Sequence, residues 1–266
     1  MFNILMYFCI QIKIIMSIVI SITNNKGGVG KTTTAFNLGG ALSYLKKKVL
    51  LVDLDTQANL SSCFGLTTSQ ETHVGNFILK EVEFKDVVVH GEEMDLIPSS
   101  KFLIESEEKI ASRTRREDML KLRLNTIKDK YDFIIIDCPP NLGLLTVNAI
   151  FASDYYIAPI EAGTFSYLGI GELINKMNEL NEFGAEIKLL GVMIIKYHEK
   201  MRDTMKKTII SSLKDSLGFN VFNSYIRVDG NLDKSQLKKM SIFQYAPDSN
   251  AAKDYLSITN EILEKI

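Results

Sequence analysis

The stretch that decides the fold lies at residues 18–33 and reads IVISITNNKGGVGKTT. An apolar run ends at Thr23, a group of glycines follows, and a helical pattern of apolar residues begins at Lys31. Glycine allows backbone angles that turn successive N–H groups to one side, and the first turn of a helix adds partial positive charge. The stretch therefore predicts a strand, an anion-binding loop and a helix in direct succession.

The polar side chains of this loop match the chemistry of a nucleoside triphosphate. Lys31 can reach the β- and γ-phosphates and the hydroxyl of Thr32 is placed to bind Mg²⁺, so we expect ATP and Mg²⁺ as ligands. The general pattern G-x-x-x-x-G-K-[ST] would place glycine at Asn25, and an additional lysine, Lys26, follows this residue. A glycine turn that binds nothing explains neither lysine. The residues predicted to contact the nucleotide in this loop are Lys26, Gly27, Gly28, Val29, Gly30, Lys31, Thr32 and Thr33.

Short apolar runs alternate with stretches of helical period along the whole chain. The apolar runs lie at 18–23, 49–54, 94–99, 133–138, 155–160 and 189–195. Strands that are apolar throughout are covered on both faces, and helices between them supply the crossovers of a parallel sheet. The helical patterns lie at 32–45, 118–128, 142–152, 167–182 and 201–217. The predicted fold class is α/β, with a doubly wound, mostly parallel sheet and helices on both faces.

Length and composition indicate one large domain without a global positive charge. The chain has 266 residues, is 46% hydrophobic and carries a formal net charge of −1. Residues 1–15 are apolar, but they lack the features of a signal peptide and are too short to span a bilayer. We expect them to be an extension outside the fold, and residues 16–266 to form a single domain. The separated cysteines favour neither a disulfide framework nor a metal site, and they suit a reducing cytoplasm.

Aspartates stand at the ends of two further apolar runs, where open α/β sheets bind their ligands. Asp53 and Asp55 end the run that begins at Val49, and Asp137 ends the run that begins at Phe133. Carboxylates are costly to bury without a cation. By itself an aspartate after a buried strand often caps the next helix, but downstream of a phosphate loop Asp137 is typical of a Walker B aspartate near Mg²⁺.

The loop Lys-Gly-Gly-Val-Gly-Lys-Thr-Thr resembles the deviant Walker A motif of the ParA/MinD superfamily of ATPases, in which the additional lysine is the signature residue. The resemblance covers nearly all of residues 16–266. Segments that begin at Asn141, Ala158 and Ser241 are similar to the family's second switch, the strand end that follows it and the C-terminal region. Thr56 stands where the family usually has proline.

The resemblance implies a slow ATP hydrolase that acts as a homodimer with ATP sandwiched between its subunits. Lys26 would contact the partner's nucleotide, much as an arginine finger does, and Asp55 would help to orient the attacking water. Lys26, Lys31 and Asp55 are therefore the expected catalytic residues.

Further binding residues follow from the same resemblance. Asp53 is an expected nucleotide contact, and Thr32 with Asp137 would hold Mg²⁺. In the family, the backbone of an Ile-Pro-Arg-Asn segment lines the adenine. This chain reads Ile226-Arg227-Val228-Asp229 there, a loose match that makes Arg227 and Asp229 candidate base contacts.

Positive charge is concentrated in the C-terminal third of the chain. Residues 190–240 contain ten Lys/Arg and five acids, so the remainder of the chain sums to −6. Non-specific contact with DNA phosphates needs such local charge and no base-reading motif. The region aligns with the nucleoid-binding surface of ParA proteins, although Asn231 replaces a common arginine; ordinary lysines on solvated helices are the alternative explanation. The candidate DNA-binding residues are Lys200, Arg202, Lys206, Lys207, Lys234 and Lys238.

These features predict a cytoplasmic, nucleoid-associated partition ATPase whose partners are nucleoid DNA and a ParB-like protein. The alternative is an ATPase that positions flagella or the division site, or regulates another process, through a protein or membrane contact. Membrane binding would need a basic amphipathic C-terminal helix. Residues 255–266 carry two acids and one lysine and indicate a packing helix instead, so we expect no stable membrane association.

Overall fold

The structure is a computed structural model and describes residues 17–161, 166–197, 211 and 220–266. The predicted extension at 1–15 lies outside the described residues, as does the predicted helix at 201–217 except for Ser211.

The described residues form strands and helices in alternation. The strands are β1 Ile18–Ile22, β2 Val49–Asp53, β3 Val89–His90, β4 Asp95–Ile97, β5 Phe133–Asp137, β6 Tyr155–Glu161, β7 Lys188–Tyr197 and β8 Val221–Arg227. The helices before β5 are α1 Lys31–Tyr44, α2 Asn59–Cys63, α3 Val74–Ile78, α4 Phe84–Val87, α5 Leu103–Ala111 and α6 Met119–Leu124. The later helices are α7 Leu144–Ala152, α8 Ser166–Glu182, α9 Gly230–Leu237, α10 Ile242–Tyr245 and α11 Asn250–Lys265.

The strands form one sheet in the order β3-β4-β2-β5-β1-β6-β7-β8. All neighbouring pairs are parallel except β3 and β4, which are antiparallel. Helix α1 connects β1 to β2, which lies beyond β5 on one side of β1. Strand β6 pairs with β1 on its other side. The carboxyl end of β1 is therefore a point where the strand order reverses, which is where such sheets bind ligands.

Both faces of the sheet are covered, as the uniformly apolar strands predict. On β1, Ile20 and Ile22 pack into the cluster that contains residues of α1 and α11. Val19 points the other way and packs with residues of α3, α6 and α7, because successive side chains alternate across a strand. The doubly wound α/β fold is confirmed.

Several elements differ from the sequence prediction. The helix expected at 118–128 is shorter, at Met119–Leu124, and the charged stretch at 105–117 begins inside a helix, α5, that buries Leu103 and Ile110. The pattern missed β8, because Asn223 and Ser224 interrupt its apolar run.

Candidate nucleotide site

The phosphate loop joins β1 to α1 and leaves the start of α1 open. Gly28 has φ 75° and Gly30 has φ 67°, a left-handed region that favours glycine. Gly30 is the N-cap of α1 and provides no side-chain hydrogen bond to the first turn. The first N–H groups of a helix need partners from outside it, and an anion is the partner that the helix dipole favours. The loop geometry therefore supports phosphate binding.

The side chain of Lys31 is buried and bonded to the backbone of this loop. It is only 8% exposed, and its Nζ donates to the carbonyl oxygen of Lys26 at 3.1 Å. Burial lowers the pKa of Lys31, while the charge of Asp137 acts in the opposite direction. A partly desolvated ammonium group interacts more strongly with an incoming phosphate than a solvated one does. Lys26 itself is exposed, and within the described part of the chain its ammonium group makes no ion pair.

Thr32 and Asp137 meet at the carboxyl edge of the sheet. The Thr32 hydroxyl donates to Oδ2 of Asp137 at 2.7 Å, and Asp137 is 1% exposed. Its other oxygen, Oδ1, is buried and has no hydrogen-bond partner among the described residues. Burial raises the pKa of Asp137 well above its ordinary value, and the nearby Asp53 raises it further. A hydroxyl and a carboxylate oxygen that lacks a partner are the hard oxygen donors that Mg²⁺ prefers, so these residues fit the ion.

The two aspartates at the end of β2 have different environments. Asp55 lines the cleft beside Lys31 and Thr32, and its role in orienting water stays a prediction. Asp53 is fully buried, and its carboxylate accepts hydrogen bonds from the N–H and hydroxyl of Ser61 and from the N–H of Asp55. Burial raises the pKa of Asp53 to about 6. Asp53 therefore anchors α2, and the expected direct contact between Asp53 and the nucleotide has no geometric support.

The cleft above the loop has a volume of about 690 Å³, within the usual range for ligand pockets. Most of the predicted loop residues line it, but one wall was not predicted. The residues that sequence reasoning missed are Gln57, Asn59, Ser62, Cys63, Pro140, Asp233, Gln236 and Leu237.

Helix α9 supplies part of this missed wall. Gln236 Nε2 donates to the hydroxyl of Thr33 at 2.9 Å, and Asp233 and Leu237 lie in the same wall. Leu237 is 82% exposed. Leu237 therefore adds exposed apolar surface to the wall of the cleft, and apolar side chains commonly line ligand pockets.

The predicted base contacts Arg227 and Asp229 do not line the cleft. The Arg227 guanidinium pairs with Asp254, with Nη2 and Oδ1 2.7 Å apart. Asp229 caps α9 by accepting from the N–H of Asn231, and its second oxygen accepts from the N–H of Ala251. Both side chains join β8 and α9 to α11, so a side-chain contact with the base is not supported.

The candidate DNA-binding residues fall into two groups. Lys200, Arg202, Lys206 and Lys207 lie outside the described residues. Lys234 and Lys238 are exposed on or beside α9, the helix whose Gln236 contacts the phosphate loop.

Comparisons with known proteins agree with this site. Residues 17–189 match a family model described as an AAA domain. The sporulation initiation inhibitor protein Soj of Bacillus subtilis is 34% identical over 93% of this chain and 98% of its own length. The virulence plasmid ParA family protein pGP5-D of Chlamydia psittaci is 35% identical over 91% of this chain and 92% of its own length.

A solved structure shows the ligands of such a cleft. It is described as cobyrinic acid a,c-diamide synthase from Mycobacterium smegmatis with bound ADP and magnesium. It superposes with a TM-score of 0.82 at 29% identity and covers 94% of this chain and 95% of its own. The predicted cofactors, ATP and Mg²⁺, are confirmed by this likeness and by the donor set at Thr32 and Asp137. The chain belongs to the ParA/MinD superfamily of deviant Walker A ATPases.

Proposed function

We propose that this chain is a ParA-like partition ATPase whose ATP-bound dimer binds DNA. ATP binding closes a homodimer with ATP sandwiched between the subunits, and the dimer holds nucleoid DNA without sequence preference. A ParB-like protein then stimulates hydrolysis, which is slow without it, and the DNA is released. Partition as the process is supported by a relative described as the chromosome-partitioning ATPase Soj of Treponema pallidum, which is 31% identical over 91% of this chain and 95% of its own length.

The signature lysine supports the dimer. Lys31 is turned inward and bonded to the loop, whereas Lys26 is exposed beside the cleft. The backbone of Lys26 is fixed, because its N–H donates to Oδ1 of Asn24 at 3.0 Å. A rigid backbone with an exposed cationic side chain suits a contact made across a subunit interface, where its charge would stabilise the phosphates of the partner's nucleotide.

The position of helix α9 is the main support for DNA binding. Gln236 of this helix contacts Thr33 in the first turn of α1, and the same helix presents Lys234 to solvent with Lys238 directly after it. A nucleotide that changes the environment of Thr33 therefore acts on a helix that carries positive charge. This arrangement offers a direct route by which ATP can control contact with DNA phosphates.

The test is a DNA-shift assay with and without ATP at two salt concentrations. Wild-type binding should require ATP and fall steeply with salt, because each neutralised phosphate releases counterions. The double variants Lys234→Glu/Lys238→Glu and Lys206→Glu/Lys207→Glu should each weaken binding on any DNA sequence. Lys80→Glu/Lys85→Glu is the matched control. Both lysines are exposed, and they lie beside α3 and in α4, on the face of the sheet opposite to α9.

The competing function is an ATPase that acts through a protein or membrane contact. Among the described residues, no helix combines the length and apolarity that crossing a bilayer requires. The apolar face of α11 is packed in the protein, where Tyr255, Ile258 and Ile262 are buried. Salt-independent DNA binding, or unimpaired binding by both lysine variants, would favour this alternative. Co-sedimentation with liposomes in the presence of ATP would then separate a membrane contact from a protein contact.

A further inference from the structure

An irregularity in strand β7 brings a lysine against the phosphate loop. In the pairing of β7 with β8, Ile194 lies opposite Tyr225 and Tyr197 lies opposite Arg227. Three steps along β7 thus match two steps along β8, so β7 contains one additional residue at this point. Such bulges redirect side chains and are frequent beside functional sites.

Lys196 lies in this bulge. Its φ is 50°, in the left-handed region that residues other than glycine seldom adopt. In a regular strand, neighbouring side chains point to opposite faces. Here Ile195 and Lys196 both contact the loop: a Cβ on Gly30 would lie 2.7 Å from Cδ1 of Ile195, and Nζ of Lys196 donates to the Gly28 carbonyl at 3.1 Å.

The hydrogen bond from Lys196 is made to a glycine, a conformationally permissive residue, within the phosphate loop. Gly28 has a positive φ, and glycine has the lowest barrier to changes of backbone angle. The following peptide unit is planar and trans, so its carbonyl and N–H point in opposite directions. A flip of this unit would reverse the directions of its carbonyl and N–H, and phosphates repel a carbonyl oxygen that is turned toward them.

The charge of Lys196 is balanced by one neighbour in the sheet. Lys196 also forms an ion pair with Glu161, which ends β6 and lies opposite Ile195 in the β6–β7 pairing. Both side chains are about half exposed, so the ion pair itself contributes little stability. The contact between Lys196 and the Gly28 carbonyl therefore does not depend on the charge of Glu161.

We propose that Lys196 is a positioning residue for nucleotide binding: the β7 bulge directs its ammonium group to the Gly28 carbonyl and holds the phosphate loop in its anion-binding form. The inference rests on nucleotide binding at the loop and is independent of the DNA partner. Lys196 acts through the backbone of Gly28 and need not touch the nucleotide.

The test compares the affinities of Lys196→Met, Lys196→Arg and Glu161→Gln for fluorescent ATP and ADP. Lys196→Met should bind both nucleotides roughly three- to tenfold more weakly, the range expected for a half-exposed charge-assisted hydrogen bond. Lys196→Arg should recover most of this loss because it keeps a donor. Glu161→Gln should stay within about twofold of wild type, since the bond to Gly28 remains. Lys188→Met, the same change at the exposed start of β7, is the matched control and should bind like wild type.

Two further readouts separate positioning from other roles. The loss in Lys196→Met should persist at about 0.5 M salt, where long-range charge effects are screened. The melting temperature of the nucleotide-free variant should match that of Lys188→Met. Wild-type affinity in Lys196→Met, a loss that disappears at high salt, or an equal loss in Glu161→Gln would overturn the proposal. If Lys31→Ala also bound normally, the nucleotide site itself would be misplaced, whereas a defect in Lys31→Ala alone would remove only the role of Lys196.

Discussion

Replacing Thr32 by alanine should uncouple nucleotide binding from Mg²⁺. The Thr32 hydroxyl lies 2.7 Å from Oδ2 of the buried Asp137, and Oδ1 of that carboxylate has no partner among the described residues. Thr32→Ala removes one oxygen donor of the cation site and leaves the carboxylate without its hydrogen bond. If the contact of the hydroxyl with the cation is worth about as much as a hydrogen bond to a charged group, about 1.5–3 kcal/mol, its loss corresponds to roughly a ten- to hundredfold loss of affinity for Mg²⁺–ATP.

The assay is a fluorescent-ATP titration with Mg²⁺ and, separately, with a chelator. Wild-type affinity should rise with Mg²⁺, whereas Thr32→Ala should show nearly the same affinity in both conditions. Thr32→Ser keeps the hydroxyl and should behave like wild type. Thr33→Ala removes the neighbouring hydroxyl, which contacts Gln236 instead of Asp137, and should keep its response to Mg²⁺. A full response to Mg²⁺ in Thr32→Ala would refute the assignment of this site.

Two further predictions concern turnover and stability. Asp55→Ala should retain ATP and accumulate as a dimer while phosphate release nearly stops, because the phosphate loop is intact but the attacking water loses its orienting group; wild-type phosphate release would remove Asp55 from the mechanism. His73 caps α3 by accepting from the Gly75 N–H through Nδ1, and burial lowers its pKa from 6.5, so the unfolded chain binds the proton more readily. The free energy of unfolding should therefore fall as the pH drops below the ordinary histidine value, and urea unfolding of His73→Asn should lack this pH-dependent loss.

The sequence predicted the parts of the fold that local patterns determine. The runs that became β1, β2 and β5 are apolar at nearly every position because both faces of these strands are covered, and such runs can be recognised without knowing their neighbours. The phosphate loop could be predicted equally well, because its glycines, lysines and hydroxyls are contiguous in sequence. Strand β8 was missed because its polar Asn223 and Ser224 bond to Glu261 of α11, a contact that no local pattern indicates.

The differences between the predicted and the observed site have the same origin. Gln236 reaches Thr33 across 203 positions of sequence, so its place in the cleft follows from the tertiary fold alone. A loose family match predicted that Arg227 contacts the adenine base, but in the folded chain its guanidinium donates to Asp254. Asp53 and Asp55 look equivalent in sequence. Ser61, which donates two hydrogen bonds to Asp53, lies on α2 beyond the strand, and its role emerged only from the structure.

The central claim is that this chain binds ATP through the loop that contains Lys31. The most direct measurement is a fluorescent-ATP titration of wild type and Lys31→Ala, with the melting temperature of each nucleotide-free protein as a check on folding. Loss of the Lys31 ammonium removes a charge-assisted contact with the phosphates, so the dissociation constant should rise at least about tenfold. An unchanged dissociation constant in a folded Lys31→Ala variant would contradict the claim and place the nucleotide elsewhere.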